Sequence, residues 1–298
     1  MSKSPVQVSI IIRTYNEERF LPQLLRRIWA QAHPSLEKEV VVVDSGSTDA
    51  TLSIAQQYGC ILAHIPREDF SFGRSLNIGC AQASGEVLAF ISGHCIPMNE
   101  HWLTRLVAPV LSGQVAYSYG RQFGDESTRF SECRIFAKYY PDHSQLPQDG
   151  FFCNNANAAL RADIWQKYAF DEDITGLEDM HLARRLVEAG MKIGYVADAG
   201  VYHLHNETWR MVKNRFEREG LALRHVMPDI HISLADFLRY LFSSVLLDTG
   251  EAMHGRGFLK NFPDILAYRF AQYWGGYKGN RFHRKMSSRR KEQYFYPR

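Results

Sequence analysis

Two apolar runs near the N-terminus constrain the fold more than any other feature of the sequence. Residues 8–12 and 40–43 are rich in β-branched side chains and lack the polar alternation of a half-exposed strand. Such runs are typical of parallel strands that are covered on both faces. Apolar residues recur at helical spacing over residues 20–29 and again over residues 52–58, where Gly59 is the expected helix stop. This β-α-β-α order predicts right-handed crossovers and a nucleotide-sized crevice at the carboxyl ends of the strands.

Composition and charge narrow the class of protein further. A chain of 298 residues that is 45% hydrophobic and 22% charged is not disordered, collagen-like or a coiled coil. The net charge of +3 hides an asymmetry, because residues 281–298 carry +6 and residues 1–280 carry −3. This distribution favours an anionic surface over a nucleic acid as partner.

The later sequence predicts more strands and then a change of character. Strands are expected at residues 87–91, 115–119 and 193–196, and helices at residues 179–189, closed by Gly190, and at 210–224, 234–247 and 265–274. The change of pattern predicts one domain over residues 1–207 and a helical region with a basic tail over residues 208–298. No targeting or membrane-spanning segment is evident, and five cysteines without a CxxC pair favour a reducing cytoplasm.

Polar residues follow each of the first two strands. Asp44 ends the second strand, where its carboxylate is expected to accept hydrogen bonds from a ribose or a base. It could instead shape the following turn, in which Thr48 or Asp49 would cap the next helix. After the first strand, Asn16 could serve a ligand or cap a helix.

Five segments in series carry a family resemblance. They are residues 8–18 (VSIIIRTYNEE), 41–51 (VVVDSGSTDAT), 70–103 (FSFGRSLNIGCAQASGEVLAFISGHCIPMNEHWL), 154–165 (NNANAALRADIW) and 177–185 (LEDMHLARR). In this order they resemble the inverting family 2 glycosyltransferases of the GT-A fold. Residues 119–122 and 201–205 are most similar to the rhamnosyltransferase-type branch.

The resemblance implies an α/β fold: a Rossmann-like, mostly parallel sheet flanked by helices, with a C-terminal helical appendage. It implies transfer of a sugar from a dTDP- or UDP-sugar to a glycan or lipid-linked acceptor in bacterial surface polysaccharide biosynthesis. The matching donor-binding positions are Arg13, Thr14, Tyr15, Glu17, Asp44, Arg74, Asn77, Ser92 and Gly93. The matching acceptor-side positions are Asn155, Asn157 and Arg161.

The expected metal element departs from the family pattern. Where the family has Asp-x-Asp, which holds Mg²⁺ or Mn²⁺ against the diphosphate, this chain has Ser92, Gly93 and His94. An imidazole suits Mn²⁺ better than Mg²⁺. His203 and His205 lie two apart in a strand-like segment, so either could add a second imidazole from the same side. Alternatively, His94 only binds a phosphate and the other two histidines are structural.

Glu178 and Asp179 match the family's acidic pair, whose aspartate is taken as the catalytic base. Inversion requires a base that removes the proton of the acceptor hydroxyl as its oxygen attacks. The first turn of a helix favours an ionised carboxylate, so Asp179 is expected to be charged. Glu178 could instead form a capping box with Thr175.

Alternatives remain for the activity and for the C-terminal region. The missing carboxylates allow a degenerate transferase that binds nucleotide or glycan as a scaffold. A nucleotidyltransferase would need a basic, glycine-rich loop where residues 16–18 read Asn-Glu-Glu. The aromatic helices and basic tail predict a peripheral site on the inner face of the cytoplasmic membrane, or a cap that packs on the catalytic domain and could form an oligomer interface. Neither alternative excludes the other.

Overall fold

The computed structural model describes residues 6–31, 36–254, 257–281 and 294–296. The chain forms two compact units. The first contains residues 1–125, 139–173 and 178–204, and the second contains residues 126–138, 174–177 and 205–298. Two short segments from the predicted N-terminal domain therefore belong to the second unit. Apart from Arg281 and residues 294–296, the basic tail lies outside the described residues.

The first unit is built on one eight-stranded sheet. Its strands are β1 (Val6–Thr14), β2 (Leu36–Asp44), β3 (Ile61–His64), β4 (Val87–Ser92), β5 (Cys95–Pro97), β6 (Tyr117–Phe123), β7 (Asn157–Arg161) and β8 (Ile193–His203). Their spatial order is β3-β2-β1-β4-β7-β6-β8-β5. Strands β3, β2, β1 and β4 are parallel to one another, and β8 is parallel to β6. Strands β7 and β5 are antiparallel to the strands beside them. The expected mixed but mostly parallel α/β sheet is confirmed.

The two apolar runs lie in β1 and β2, two neighbouring interior strands of the sheet. Ile10 pairs with Val40 in register, and both are buried because helices cover the sheet. The expected strand at residues 115–119 begins at Tyr117 and continues to Phe123, and the last strand extends to His203. The sequence pattern missed β3, β5 and β7, because these strands have only three to five residues and little room for a pattern.

Helices connect the strands of the first unit. They are α1 (Leu21–Trp29), α2 (Thr51–Gln57), α3 (Phe72–Gln82), α4 (Trp102–Leu111), α6 (Ala162–Lys167) and α7 (Glu178–Glu188). Helix α5 (Phe130–Tyr139) lies between α4 and α6 in the sequence, and most of it belongs to the second unit. A short 3₁₀ turn covers Arg67–Asp69. Gly59 and Gly190 follow helices with φ of +70° and +82°, which confirms their predicted role as helix stops.

The second unit is helical. Its long helices are α8 (Trp209–Val226), α9 (Leu234–His254) and α10 (Phe258–Asn280), so the three predicted helices are confirmed and the last two are longer than expected. Helix α10 packs against both α8 and α9. Among the described residues, no helix has the length and hydropathy to cross a membrane.

Candidate active site

The carboxyl ends of three parallel strands bring the first candidate residues together. Arg13 at the end of β1 pairs in register with Ser92 at the end of β4, and Thr14 pairs with Asp44 at the end of β2. Parallel strands end at one edge of a sheet, which is where α/β proteins bind their ligands. Four of the predicted donor-site residues therefore lie side by side.

Asp44 is fully buried at this edge. Its Oδ2 accepts hydrogen bonds from the backbone N–H groups of Gly46 and Ser47, both at 2.9 Å, and Oδ1 accepts one from Thr14 Oγ1 at 3.2 Å. The carboxylate thus stabilises the turn that follows β2, which agrees with the alternative prediction that Asp44 shapes this turn. Oδ1 of Asp49 accepts from the N–H of Thr51, the first residue of α2, at 3.0 Å, but the N-cap position is Ala50, so neither Thr48 nor Asp49 is the expected N-cap.

Asn16 does not cap a helix, because α1 begins only at Leu21. Its φ of +55° turns the chain, its N–H donates to Ser47 Oγ and its Oδ1 accepts from the N–H of Thr48, both at 2.8 Å. The chain after β1 is therefore bonded to the turn after β2. Tyr15 lies beside it, half-buried, with the guanidinium of Arg67 5.3 Å from its ring centroid.

Glu17 and His94 form the next contact along the edge. Oε1 of Glu17 lies 2.7 Å from Nδ1 of His94, and Nε2 of His94 lies 3.2 Å from Ser92 Oγ. Gly93 is required between them, because a Cβ there would lie 2.8 Å from Cγ of Glu17 and 3.2 Å from the carbonyl oxygen of Arg13.

A second histidine stacks on His94. The ring centroids of His94 and His203 are 5.1 Å apart at an interplanar angle of 22°, and a ring nitrogen of each lies within 4.8 Å of the other. Nδ1 of His203 lies 2.7 Å from Oε1 of Gln122. Glu17 and Gln122 both offer an acceptor oxygen, so the neutral tautomer that satisfies each contact has its proton on Nδ1 and its lone pair on Nε2.

This pair fits a divalent cation. Histidines that bind metals commonly donate their other ring N–H to a carboxylate or carbonyl oxygen, as both do here. Imidazole nitrogens suit Mn²⁺ and later transition metals better than Mg²⁺. The residues present therefore match a cation of that class.

His205 lies two residues beyond the end of β8, so only the extent of the strand differs from the sequence prediction. Strand alternation by itself therefore does not fix the side on which His205 lies. In the second unit, Nδ1 of His205 lies 2.9 Å from Oε1 of Glu132, which also binds Arg215 at 2.8 Å. Burial acts to raise the pKa of Glu132, but the hydrogen bond and charge of His205 and the charge of Arg215 outweigh it and hold that pKa at about 2.

Arg74 and Asn77, on α3, face the segment before α7. Nε of Arg74 lies 2.8 Å from Glu172, and Nδ2 of Asn77 donates to the same carboxylate and to the carbonyl of Phe170, both at 2.9 Å. Oδ1 of Asn77 accepts from Trp165 Nε1 at 3.0 Å. The amide of Asn77 is thus occupied by the protein, whereas Arg74 is partly exposed.

Glu178 begins α7 and binds Arg13 rather than a helix N–H. Nη1 of Arg13 lies 3.1 Å from Oε1 of Glu178. The capping box with Thr175 does not form, because α7 begins at Glu178 itself rather than at residue 176, and the hydroxyl of Thr175 donates to the carbonyl of Arg218. The alternative explanation for Glu178 is therefore wrong.

Asp179 is buried beside Glu178. Its Oδ2 accepts from the N–H of Asn155 at 2.9 Å and its Oδ1 accepts from the N–H of Met180 at 2.7 Å. Burial and the neighbouring charge of Glu178 nevertheless raise the pKa of Asp179 to about 7. The expectation of a fully ionised carboxylate was wrong, since the helix terminus does not compensate for the loss of water. A carboxylate with this pKa suits proton transfer near neutral pH.

Asn155 connects Asp179 to the sheet. Ser92 donates its N–H to the carbonyl of Ala156 at 3.2 Å, which places the start of β7 beside the end of β4. Oδ1 of Asn155 accepts from the hydroxyl of Tyr117, while Nδ2 is buried and has no hydrogen-bond partner among the described residues. An amide donor next to a candidate base is suited to a ligand oxygen.

Asn157 and Arg161 lie away from this edge. Asn157 is fully buried, accepts from Trp102 Nε1 at 2.8 Å and donates to the carbonyl of Ala199 at 2.7 Å, so it has no exposed atom for an acceptor. Arg161 pairs in register with Val87 at the start of β4, about 16 Å from the edge at ~3.3 Å per residue. It binds Asp163 at 2.8 Å. We therefore no longer assign Asn157 and Arg161 to the acceptor side of the site.

Sequence reasoning assigned no site role to Tyr117 or to Gln122, although Gln122 ends the segment 119–122 that carries the branch resemblance. Both are polar residues within a buried strand, β6, and that contrast is the pattern that could have identified them. Each contacts a candidate site residue, His203 and Asn155 respectively.

Comparison with known proteins agrees with this architecture. The chain belongs to glycosyl transferase family 2, whose family model matches residues 9–168. The chain is accordingly a sugar-transferring enzyme with the sheet and helices of the GT-A fold.

Among curated relatives, the O-antigen chain rhamnosyltransferase RfbN of Salmonella typhimurium is 26% identical over 287 residues, covering 90% of each chain. WbaN of Salmonella anatum, another O-antigen chain rhamnosyltransferase, is 26% identical over 82% of each chain. Among solved structures, the mannosyltransferase PcManGT of Pyrobaculum calidifontis, in complex with GDP-Man and Mn²⁺, has a TM-score of 0.63 at 16% identity. That match covers 99% of this chain and 88% of the other.

Proposed function

We propose that this enzyme transfers a sugar, with inversion, from a nucleoside-diphosphate sugar to a hydroxyl of a glycan or lipid-linked saccharide in the synthesis of a bacterial surface polysaccharide. The observation that carries the proposal is Asp179. It is buried, has a pKa of about 7 and is held by the N–H of Asn155 beside the edge where β1, β2 and β4 end.

Asp179 acts as the general base. Its carboxylate takes the proton of the acceptor hydroxyl as that oxygen forms a bond to the anomeric carbon. The bond from this carbon to the diphosphate oxygen breaks on the opposite face, and the nucleoside diphosphate leaves with the electron pair. Glu178 assists indirectly, because its charge raises the pKa of Asp179 toward the working pH.

The donor lies along the sheet edge. Arg13, Thr14 and Tyr15 follow β1, and Asp44 holds the adjacent turn, whose backbone would face the nucleoside. The remaining proposed donor contacts are Glu17, Arg74, Ser92 and Gly93. Because the relatives RfbN and WbaN carry the name rhamnosyltransferase, a dTDP-linked deoxyhexose is the first donor to test, followed by UDP-hexoses.

His94 and His203 would hold a divalent cation, with Mn²⁺ favoured over Mg²⁺ by their imidazole nitrogens. Such an ion would neutralise charge on the diphosphate. His205 follows in the sequence and stays a proposal for this role, with its contact to Glu132 as the competing function. On the acceptor side we retain Asn155, whose buried Nδ2 is available to a hydroxyl oxygen.

A panel of dTDP-, UDP- and GDP-sugars tests the activity. With Mn²⁺ and a mixture of saccharide acceptors, the protein should release nucleoside diphosphate from one donor, and Asp179→Asn should lower turnover by about 10²–10⁴-fold. The control is donor binding by calorimetry, which the variant should retain. Equal turnover by Asp179→Asn would reject the assignment of the base.

One observation favours a second candidate, a non-catalytic nucleotide-binding scaffold. Ser92 and His94 stand where the family carries acidic metal ligands. That candidate predicts calorimetric binding of UDP or dTDP without turnover of any donor in the panel. Turnover of even one donor would exclude it.

The enzyme is proposed to act at the inner face of the cytoplasmic membrane. A lipid-linked acceptor would be presented there, and the basic C-terminal residues would be attracted to anionic headgroups.

A further inference from the structure

Helices α9 and α10 of the second unit expose large apolar side chains, which together we name the apolar face. On α9 these are Leu234, Leu238, Tyr240, Phe242, Leu246, Leu247 and Met253, and on α10 they are Leu259, Leu266 and Phe270. Leu259 is 88% exposed and Leu246 is 71% exposed. Apolar stripes at helical spacing are usually core, so a stripe left in water requires a partner.

Other side chains of these helices are buried in the second unit. Helix α9 buries Phe237 and Ala252, and α10 buries Ile265 and Tyr268. Both helices are therefore anchored while the residues of the apolar face stay exposed. Neither α9 nor α10 is long and apolar enough to cross a membrane. A membrane partner would therefore be contacted along its surface.

Aromatic rings with polar groups border the face. Tyr240 stacks on Tyr273 with centroids 6.1 Å apart, and Phe270 stacks on Trp274 at the same separation. The hydroxyl of Tyr273 lies 2.6 Å from Ser244 Oγ. Tyrosine and tryptophan are enriched where an apolar layer meets water, because each ring has an apolar body and a polar tip.

Charge distinguishes between the candidate partners. The acidic side chains of α9 and α10 are each paired with an arginine: Asp236 with Arg239, Asp248 with Arg269, Glu251 with Arg134 and Asp264 with Arg129. Lys260, Lys278 and Arg281 add positive charge on or next to α10, and the sequence from 282 to 293 contains five basic residues and one acidic residue. A second copy of this chain would bring the same charge and be repelled, whereas anionic lipid would be attracted.

We propose that the apolar face rests on a lipid bilayer with anionic headgroups, its side chains in the interfacial layer. The inference rests on the proposed function in one respect, since a lipid-linked acceptor would be presented at such a surface. It would hold the enzyme at the bilayer without a spanning helix.

Vesicle sedimentation of the full chain tests the proposal. The wild type should bind vesicles of phosphatidylcholine with phosphatidylglycerol, bind pure phosphatidylcholine more weakly and lose binding as salt is raised. The double variant Phe242→Glu with Leu246→Glu should bind at least about tenfold more weakly. The matched control is Leu52→Glu, at a 37% exposed leucine of α2, which should bind like the wild type.

Donor turnover with a water-soluble acceptor separates this proposal from the proposed function. The double variant should retain wild-type turnover, which also shows that it folds. Vesicle binding equal to that of the wild type would overturn the proposal, as would a wild type that binds no vesicles. A dimer that the double variant dissociates, without vesicle binding, would assign the face to a second copy instead.

Discussion

The guanidinium of Arg13 lies 3.1 Å from the carboxylate of Glu178, joining the end of the first strand to the start of α7 across 165 residues of sequence. This ion pair links the donor side of the proposed site to its catalytic side. Its two charges act in opposite directions on the neighbouring base, because Glu178 raises the pKa of Asp179 and Arg13 lowers it.

The pH dependence of turnover should report Asp179. A general base works in its deprotonated form, and the pKa of Asp179 is raised to about 7, so kcat/KM should increase with pH and level off above about 7. Glu178→Gln removes the charge that raises this pKa, so the increase should move to lower pH. Arg13→Gln should move it to higher pH. Identical profiles for all three proteins would contradict this electrostatic coupling.

Removal of either stacked histidine should weaken cation binding. His94→Ala and His203→Ala should each raise the Mn²⁺ dissociation constant by on the order of 10–100-fold, as measured by titration followed by electron paramagnetic resonance. His101→Ala is the matched control, because His101 is exposed and its Nε2 lies 3.7 Å from the carboxylate of Glu100. EDTA should lower turnover. Turnover unaffected by EDTA would instead assign His94 to a phosphate.

Gly93→Ala should damage the donor side with little effect on folding. Its Cβ would lie 2.8 Å from Cγ of Glu17, so Glu17 must move and its contact with His94 should lengthen. We expect a higher KM for the donor and weaker Mn²⁺ binding. Gly250→Ala, at a glycine of α9 with open space around it and no left-handed φ, controls for the loss of glycine itself. Wild-type donor KM in Gly93→Ala would show that this close approach is unimportant.

Substitutions at Asn157 and Arg161 should distinguish an effect on folding stability from an effect on acceptor binding. Asn157→Ala leaves Trp102 Nε1 and the carbonyl of Ala199 buried without their partner, so the free energy of unfolding in urea should fall by about 2–5 kcal/mol. Arg161→Ala, at an exposed side chain, should change neither stability nor the KM for the acceptor. An increase of that KM in Arg161→Ala would return Arg161 to the acceptor site.

The buried ion pair of the second unit should contribute to its folding. Arg269→Ala leaves the carboxylate of Asp248, which is 2% exposed, without its closest cation, and the expected loss is about 3–5 kcal/mol of unfolding free energy. Arg239→Ala breaks an exposed pair with Asp236 on the same helix and should leave the urea midpoint unchanged. Equal midpoints for the two variants would contradict the importance of burial here.

Local patterns predicted much of the architecture. The runs at residues 8–12 and 40–43, the helical spacing between them and the helix stops at Gly59 and Gly190 were all confirmed, because hydrophobic periodicity and glycine conformation are local properties. Short strands such as β5 were missed, since three residues carry no periodicity. The same local reasoning assigned His205 to a strand that ends two residues earlier.

By itself, then, the sequence determined the α/β class, the order of the main elements, the family and the acidic pair that begins α7. Only the tertiary structure decided which of two nearby asparagines, Asn155 or Asn157, contacts Asp179 and which is enclosed by the core. It also decided the state of Asp179, whose pKa depends on burial and on charges brought close by folding. Those neighbours are distant in the chain, so no local pattern encodes them.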